Sequence, residues 1–164
     1  MPENQVYALL GNKFLKGILA SRSIDSSDNQ KRKIVFANCQ LFGMDLAFPD
    51  VCLTPMPLPV PVPYPNMAMG FMATPHTYKV LFAGMPAHNM ATRIYSSMGD
   101  NAGVNLGVVS GTVMGISRHL TASFTTLIKG SPATRMTSLT LQNGTNMIGM
   151  RLIPSQFTVM MLGL

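Results

Sequence analysis

Residues 124–136 read FTTLIKGSPATRM, and residues 78–90 read YKVLFAGMPAHNM. The two align without a gap. Each begins on an aromatic residue, runs through strand formers and reaches a glycine six positions later, Gly130 after Phe124 and Gly84 after Tyr78. Both continue as G-x-P-A, the chemistry of a strand entering a tight turn: glycine tolerates φ > 0 and proline stiffens the exit. FTVMMLGL (157–164) repeats the first half of the pattern, from Phe157 to Gly163. Chance similarity among β-hairpins is the weaker reading, because the whole aromatic-to-G-x-P-A spacing is shared. Three copies in so short a chain predict internal pseudo-threefold symmetry, the property a single chain needs to cap a trimer.

Outward from the repeats, the chain from Ile34 onward consists of short β-type runs separated by Gly, Pro and Asn. KIVFANC, LGVVSGTVMG and MIGMRLI are of this kind, and no long amphipathic helix interrupts them. The fold class is all-β with small loops. Before it, residues 5–20 form the one good helix candidate: Val6, Tyr7, Leu10, Phe14 and Ile18 cluster on one arc, opposite Gln5, Asn12, Lys13 and Lys16. A docking or membrane-surface helix fits that pattern, but two lysines make a thin basic face, so packing against its own domain or a partner is preferred. SRSIDSSDNQKRK (21–33) reads as a flexible linker. The expected organisation is an N-terminal extension over 1–33 and a β domain over 34–164.

A second stretch restricts the fold further. In CLTPMPLPVPVPYPN (52–66), Pro55, Pro57, Pro59, Pro61, Pro63 and Pro65 alternate with apolar residues. Proline forbids a helix here. A linker has no reason to carry the stripe Met56, Leu58, Val60, Val62, Tyr64. In an extended chain, prolines two apart remove N–H donors from one edge only, so the segment can pair on one side and present a blunted edge on the other. The six prolines are expected to form a structural brace.

The composition narrows the class. Of 164 residues, 47% are hydrophobic and 11% charged, against a usual charged share of about 25%; so apolar a surface is expected to be covered in part by a partner. Six of the twelve basic residues precede residue 34, so the net charge of +6 does not describe the β domain. With no Trp, no basic helix face and no aromatic platform, nucleic-acid binding is not expected. No apolar run reaches the ~18 residues of a membrane helix, so stable membrane insertion by the chain alone is not expected. The N-terminus lacks the apolar core of a secretory signal, which leaves another route for export. Cys39 and Cys52 permit one disulfide but no disulfide scaffold.

FANCQLFGMDLAFPDVCLTPMPLPVPVPYPN (36–66), the two G-x-P-A hairpins, SSMGDNAGVNLGVVSGTVMG (96–115) and IPSQFTVMML (153–162) together resemble the PAAR-like domain family over roughly residues 34–164. The family is related to the PAAR-repeat proteins that tip the spikes of bacterial type VI secretion and other contractile injection systems. The resemblance implies a compact conical β fold, one copy on the open end of a trimeric VgrG β-helix, sharpening the spike and carrying or recruiting an effector. It implies assembly in the bacterial cytoplasm, followed by secretion or injection into a target cell. The residues expected to meet the spike are Tyr78, Val80, Phe82 and Gly84 in the first copy, Phe124, Leu127 and Gly130 in the second, and Phe157, Val159 and Gly163 in the third. Each strand would extend one β-helix face by strand addition. Residues 1–33 would recruit an effector or chaperone.

PAAR proteins commonly hold zinc near the apex through His and Cys side chains. Here TLQNG (140–144) places Gln142 and Asn143 where the family has a ligand histidine, and Asp50 precedes Cys52 where a histidine would assist. His76, His88 and His119 follow no zinc spacing. No cofactor and no metal are expected, and the fifteen methionines are read as core filling rather than copper handling. An enzyme is disfavoured: GVVSG around Ser110 is not a nucleophile elbow, His119 has no evident orienting carboxylate, and Asp100 reads as a turn residue. A 33-residue extension is too short for a folded toxin. The non-enzymatic spike tip is the favoured function, with the delivery domain of a larger effector, or a small hydrolase, as the alternatives.

Overall fold

The computed structural model describes residues 33–104 and 106–163, and the helix expected over 5–20 lies outside them. Among the described residues, thirteen strands carry the fold, with one 3-10 turn at Gly70–Met72. The largest element is an antiparallel seven-stranded sheet. Its strands are β2 (Met44–Thr54), β3 (Val60–Met69), β4 (Ala73–Thr74), β7 (Arg93–Ile94), β8 (Ser117–His119), β11 (Leu139–Gln142) and β12 (Met147–Ile153), in the order β3-β2-β12-β11-β8-β7-β4. Three further antiparallel pairs stand apart from it: β5 (Leu81–Phe82) with β6 (Met85–Pro86), β9 (Ser123–Ile128) with β10 (Ser131–Ala133), and β13 (Met160–Gly163) with β1 (Lys33–Phe36).

The proline ladder divides between a loop and a strand. Pro55, Pro57 and Pro59 fall in the exposed connection between β2 and β3; Pro61, Pro63 and Pro65 lie on β3, the sheet edge. Val51 O accepts from Val108 N (3.0 Å) and Leu53 N donates to Leu106 O (2.9 Å), so both residues turn their backbone groups away from β3. Opposite them sit Pro63 and Pro61. The missing N–H groups are therefore those that would have faced outward. Further along, Met67 exchanges backbone bonds with Met98 (2.7 and 2.8 Å), and Gly99 packs so closely on Pro65 O that a Cβ would lie 2.1 Å from it. The stretch of edge left open is the stretch that proline occupies.

The interior is small and unusually polar. One apolar cluster joins Ala37, Ala87, Ala133, Ile128 and Met161, with Phe82 and Val159 against it; a second joins Ala68, Ala73 and Ile94. Among the described methionines only Met161 is buried. The expectation that methionines fill the core is thus corrected. The positions where three backbones converge carry Ala37, Ala87 and Ala133, with Met161 packed on them, and much of the remaining interior is occupied by Asn, Asp, His, Gln and Arg. Some of these groups pair across the fold, as Arg151 does with Asp45 and Asn66 with Asp50, whereas both ring nitrogens of His88 and both side-chain polar atoms of Asn38 are buried with no hydrogen-bond partner among the described residues.

Candidate functional site

The three strand pairs outside the large sheet are three versions of one unit. In the first two, the two-residue turns Ala83–Gly84 (φ 49 and 78) and Lys129–Gly130 (φ 50 and 76) have positive φ at both central positions. That is the turn whose twist matches a hairpin, and it explains the glycine six residues after each aromatic. The third unit has no turn. Its second strand is β1, from the other end of the β domain, with Met160 opposite Phe36 and Met161 opposite Val35.

Aligning the units places Ala37, Ala87 and Ala133 at equivalent positions, and their backbones close a ring. Asn38 N donates to Thr134 O (3.0 Å), Thr134 N to His88 O (3.1 Å) and His88 N to Asn38 O (2.9 Å). A second cycle lies beside it: Gln40 N to Pro86 O (3.0 Å), Met90 N to Pro132 O (2.9 Å) and Met136 N to Phe36 O (2.8 Å). The bridges Ala37↔Arg135, Cys39↔Ala87 and Asn89↔Ala133 obey the same permutation. The pseudo-threefold symmetry therefore extends to individual hydrogen bonds. FANC (36–39) is the third counterpart of PAHN (86–89) and PATR (132–135), a match the sequence conceals because that copy is split between the two ends of the β domain.

The units present their side chains alike. Tyr78, Phe124 and Phe157 are 69%, 71% and 71% exposed. Three residues further on, Leu81, Leu127 and Met160 form a second exposed set; Leu81 and Met160 were not singled out from sequence, although the aromatic-plus-three spacing marks them. One residue further again the side chains turn inward: Phe82, Ile128 and Met161 pack on the alanine cluster. Of the other residues expected at the interface, Val80 is exposed and Val159 half-buried against that cluster; Gly84 and Gly130 form the turns, and Gly163 pairs with Lys33. Phe157 also meets Phe36 edge-on, ring centroids 5.4 Å apart. Lys129 Nζ donates to His76 O (3.3 Å), linking the second hairpin to the segment that leads into the first.

A different chemistry lies inside the molecule. Asp50, Cys52 and Asp100 are buried, with their ligand-type atoms within 4.8 Å of one another. Asp100, read from sequence as a turn residue, accepts Met114 N–H (2.9 Å) across the fold. Asn66 donates to Asp50 (2.5 Å), and Asn146 donates to both Asp50 and Val51 O (the latter at 2.9 Å). Burial, then the charges of Asp50 and Asp100, push the Cys52 thiol up to about 12. Burial also raises the Asp100 carboxyl, against the pull of the Met114 N–H. Cys39 and Cys52 are both free.

Elsewhere in the interior, Arg151 on β12 pairs with Asp45 on β2, both fully buried, through Nε and through Nη2 (3.2 Å). Burial, then Arg151 and His119, holds His88 well below the usual histidine value. Burial brings His119 down to about 4, with Asp45 opposing and Arg151 assisting. Ser110 Oγ accepts the Thr112 N–H within its own turn (3.2 Å) and lies 2.9 Å from the Thr112 hydroxyl oxygen.

Together these features define a β domain whose strand pairs repeat about a pseudo-threefold axis, with exposed apolar side chains repeated on all three. The family model described as "Toxin PAAR-like domain" matches residues 43–149, well over half of the chain, and the chain belongs to that family. The matched range takes in the first two hairpins and leaves β1 and β13, the third, outside it. No curated protein and no solved structure matched the chain.

Proposed function

We propose that this domain is a non-enzymatic spike tip that caps a trimeric VgrG-type β-helix, one copy per trimer. The observation that carries this reading is the threefold repetition of exposed apolar side chains, Tyr78/Phe124/Phe157 and Leu81/Leu127/Met160. A monomer rarely leaves such a set in water, and a trimer offers three identical surfaces to receive it. Each hairpin then meets one spike chain in the same way, so a single asymmetric chain satisfies a symmetric partner. From aromatic to alanine, residues 78–87 and 124–133, Lys79 and Lys129 are the only charges in the two closed hairpins, which favours an apolar, long-lived contact of the obligate kind.

The family's description as a toxin-associated domain supports effector delivery, either by recruitment through residues 1–33 or as the delivery part of a larger effector. On this reading the domain assembles on the spike in the bacterial cytoplasm and leaves the cell with it. The test is a triple variant, Tyr78→Ser, Phe124→Ser and Phe157→Ser, assayed for co-purification with the trimeric spike of the same secretion system. These side chains are about 70% exposed, so the fold is retained while binding is lost. Wild-type binding by the triple variant would overturn the reading.

A further inference from the structure

The resemblance to PAAR proteins implies zinc held by His and Cys, and the cluster at Cys52 is where the described residues bring thiol and carboxylate groups together. Whether it fits a cation depends on which ends of the surrounding amides face inward. Asn143 Oδ1 accepts the Gly115 N–H (3.0 Å) and the Thr112 hydroxyl (2.9 Å), so its Nδ2 is the end that faces Cys52 Sγ, at 3.6 Å. Asn146 Oδ1 accepts the N–H groups of Val109 (2.8 Å) and Ser110 (3.1 Å), which turns its Nδ2 onto Asp50 Oδ1 and to 4.0 Å from Cys52 Sγ. Flipping either amide would set donor against donor, so backbone N–H groups fix both orientations.

A divalent cation needs lone pairs directed at one point. Here both oxygens of Asp50 already accept amide hydrogens, from Asn146 and Asn66, and Asp100 Oδ2 accepts Met114 N–H. The site is closed as well: a Cβ on Gly103 would lie 2.2 Å from the Cys52 Cβ. The donor set does not fit a metal. We propose that the cluster is a metal-free substitute for a metal centre, in which the amide hydrogens of Asn143 and Asn146 occupy the place of the cation and tie β2 to the 143–146 turn and the 108–115 loop. Asp100 lies beside this pair with its Oδ2 held by Met114 N–H and its Oδ1 buried without a hydrogen-bond partner among the described residues.

The experiment uses the full chain. The wild type is expected to carry no stoichiometric zinc by elemental analysis, to melt at the same temperature with and without EDTA, and to develop no cobalt–thiolate absorption when titrated with Co²⁺. In Asn143→Asp, a carboxylate oxygen replaces the amide that faces Cys52 and the contacts to Gly115 and Thr112 can be kept. That variant is expected to gain Co²⁺ absorption and a Zn²⁺-dependent rise in melting temperature. Asn143→Ala removes the amide without offering a lone pair and is expected to gain neither. Metal in the wild type, or a thiolate band in the wild type or in Asn143→Ala, would overturn the proposal. So would a folded Asn143→Asp that ignores the metal. If Asn143→Asp folds only with metal added, the inference stands; if it folds under neither condition, the wild-type cobalt titration decides.

Discussion

Replacing Pro61 and Pro63 with alanine separates two consequences of the proline ladder. Both residues lie on the open part of the β3 edge, opposite Leu53 and Val51. Each proline restricts the unfolded chain, and its loss where the native conformation suits it costs ~0.4–1 kcal/mol, so the pair should cost roughly 1–2 kcal/mol. In a domain of this size, that lowers the melting temperature by roughly 3–8 °C. The double variant also places two N–H groups on an edge that lacked them, creating a site for strand addition. Pro57→Ala with Pro59→Ala is the control: these residues lie in the connecting loop, so the entropic loss is similar and no edge donor appears. Melting is followed by circular dichroism, and aggregation by light scattering, with each variant held equally far below its own midpoint. The edge variant should aggregate faster than the loop variant. Equal aggregation, or unchanged melting in both, would refute the reasoning that the ladder guards and stiffens this edge.

Asp45→Asn leaves the buried Arg151 charge without its partner and should lose about 3–5 kcal/mol in urea denaturation, whereas Asp45→Leu with Arg151→Met should recover most of it. Burial disfavours the charged forms of His88 and His119 in the folded protein, while unfolded histidines take up protons below about pH 6.5. Their contribution is therefore complete above that pH and is lost as the pH falls towards 4; for His119, with its value near 4, the loss is roughly 3 kcal/mol. Asp100, raised in the folded state, offsets part of this at the acid end. Urea midpoints from pH 7 to 4 should fall in the wild type and fall less in His119→Gln. The native Cys52 thiol, pushed up to about 12, should resist iodoacetamide at pH 8 and react on unfolding.

The hairpins were legible because their signals are local. Tyr78 to Gly84 and Phe124 to Gly130 each complete a strand and a turn within a few residues, and the turn type demands the glycine. The third hairpin was only half legible: Phe157 to Gly163 supplies one strand, and its partner Lys33–Phe36 lies more than a hundred residues earlier. No local period links FANC to PAHN and PATR. The ladder could be read as an edge strand because proline chemistry is directional; which prolines lie on the strand depended on the β2–β3 register. The polar interior was not legible. Asp100 resembles any turn aspartate until Met114 and Cys52 are brought beside it, and a buried Arg151 is visible only through Asp45 on another strand. Methionine's adaptability suggested a core role, but alanines fill the junction of the three units, Met161 alone joins them, and the other described methionines stay at least partly exposed.

The central claim is that one asymmetric chain occupies the end of a trimeric spike. The most direct measurement is native mass spectrometry of the full chain mixed with the trimeric spike protein of the same secretion system. The account predicts a single complex of three spike chains and one tip, unchanged when the tip is in excess. Three tips on each trimer would show that the hairpins do not act together as one threefold face, and the absence of any complex would contradict the account outright.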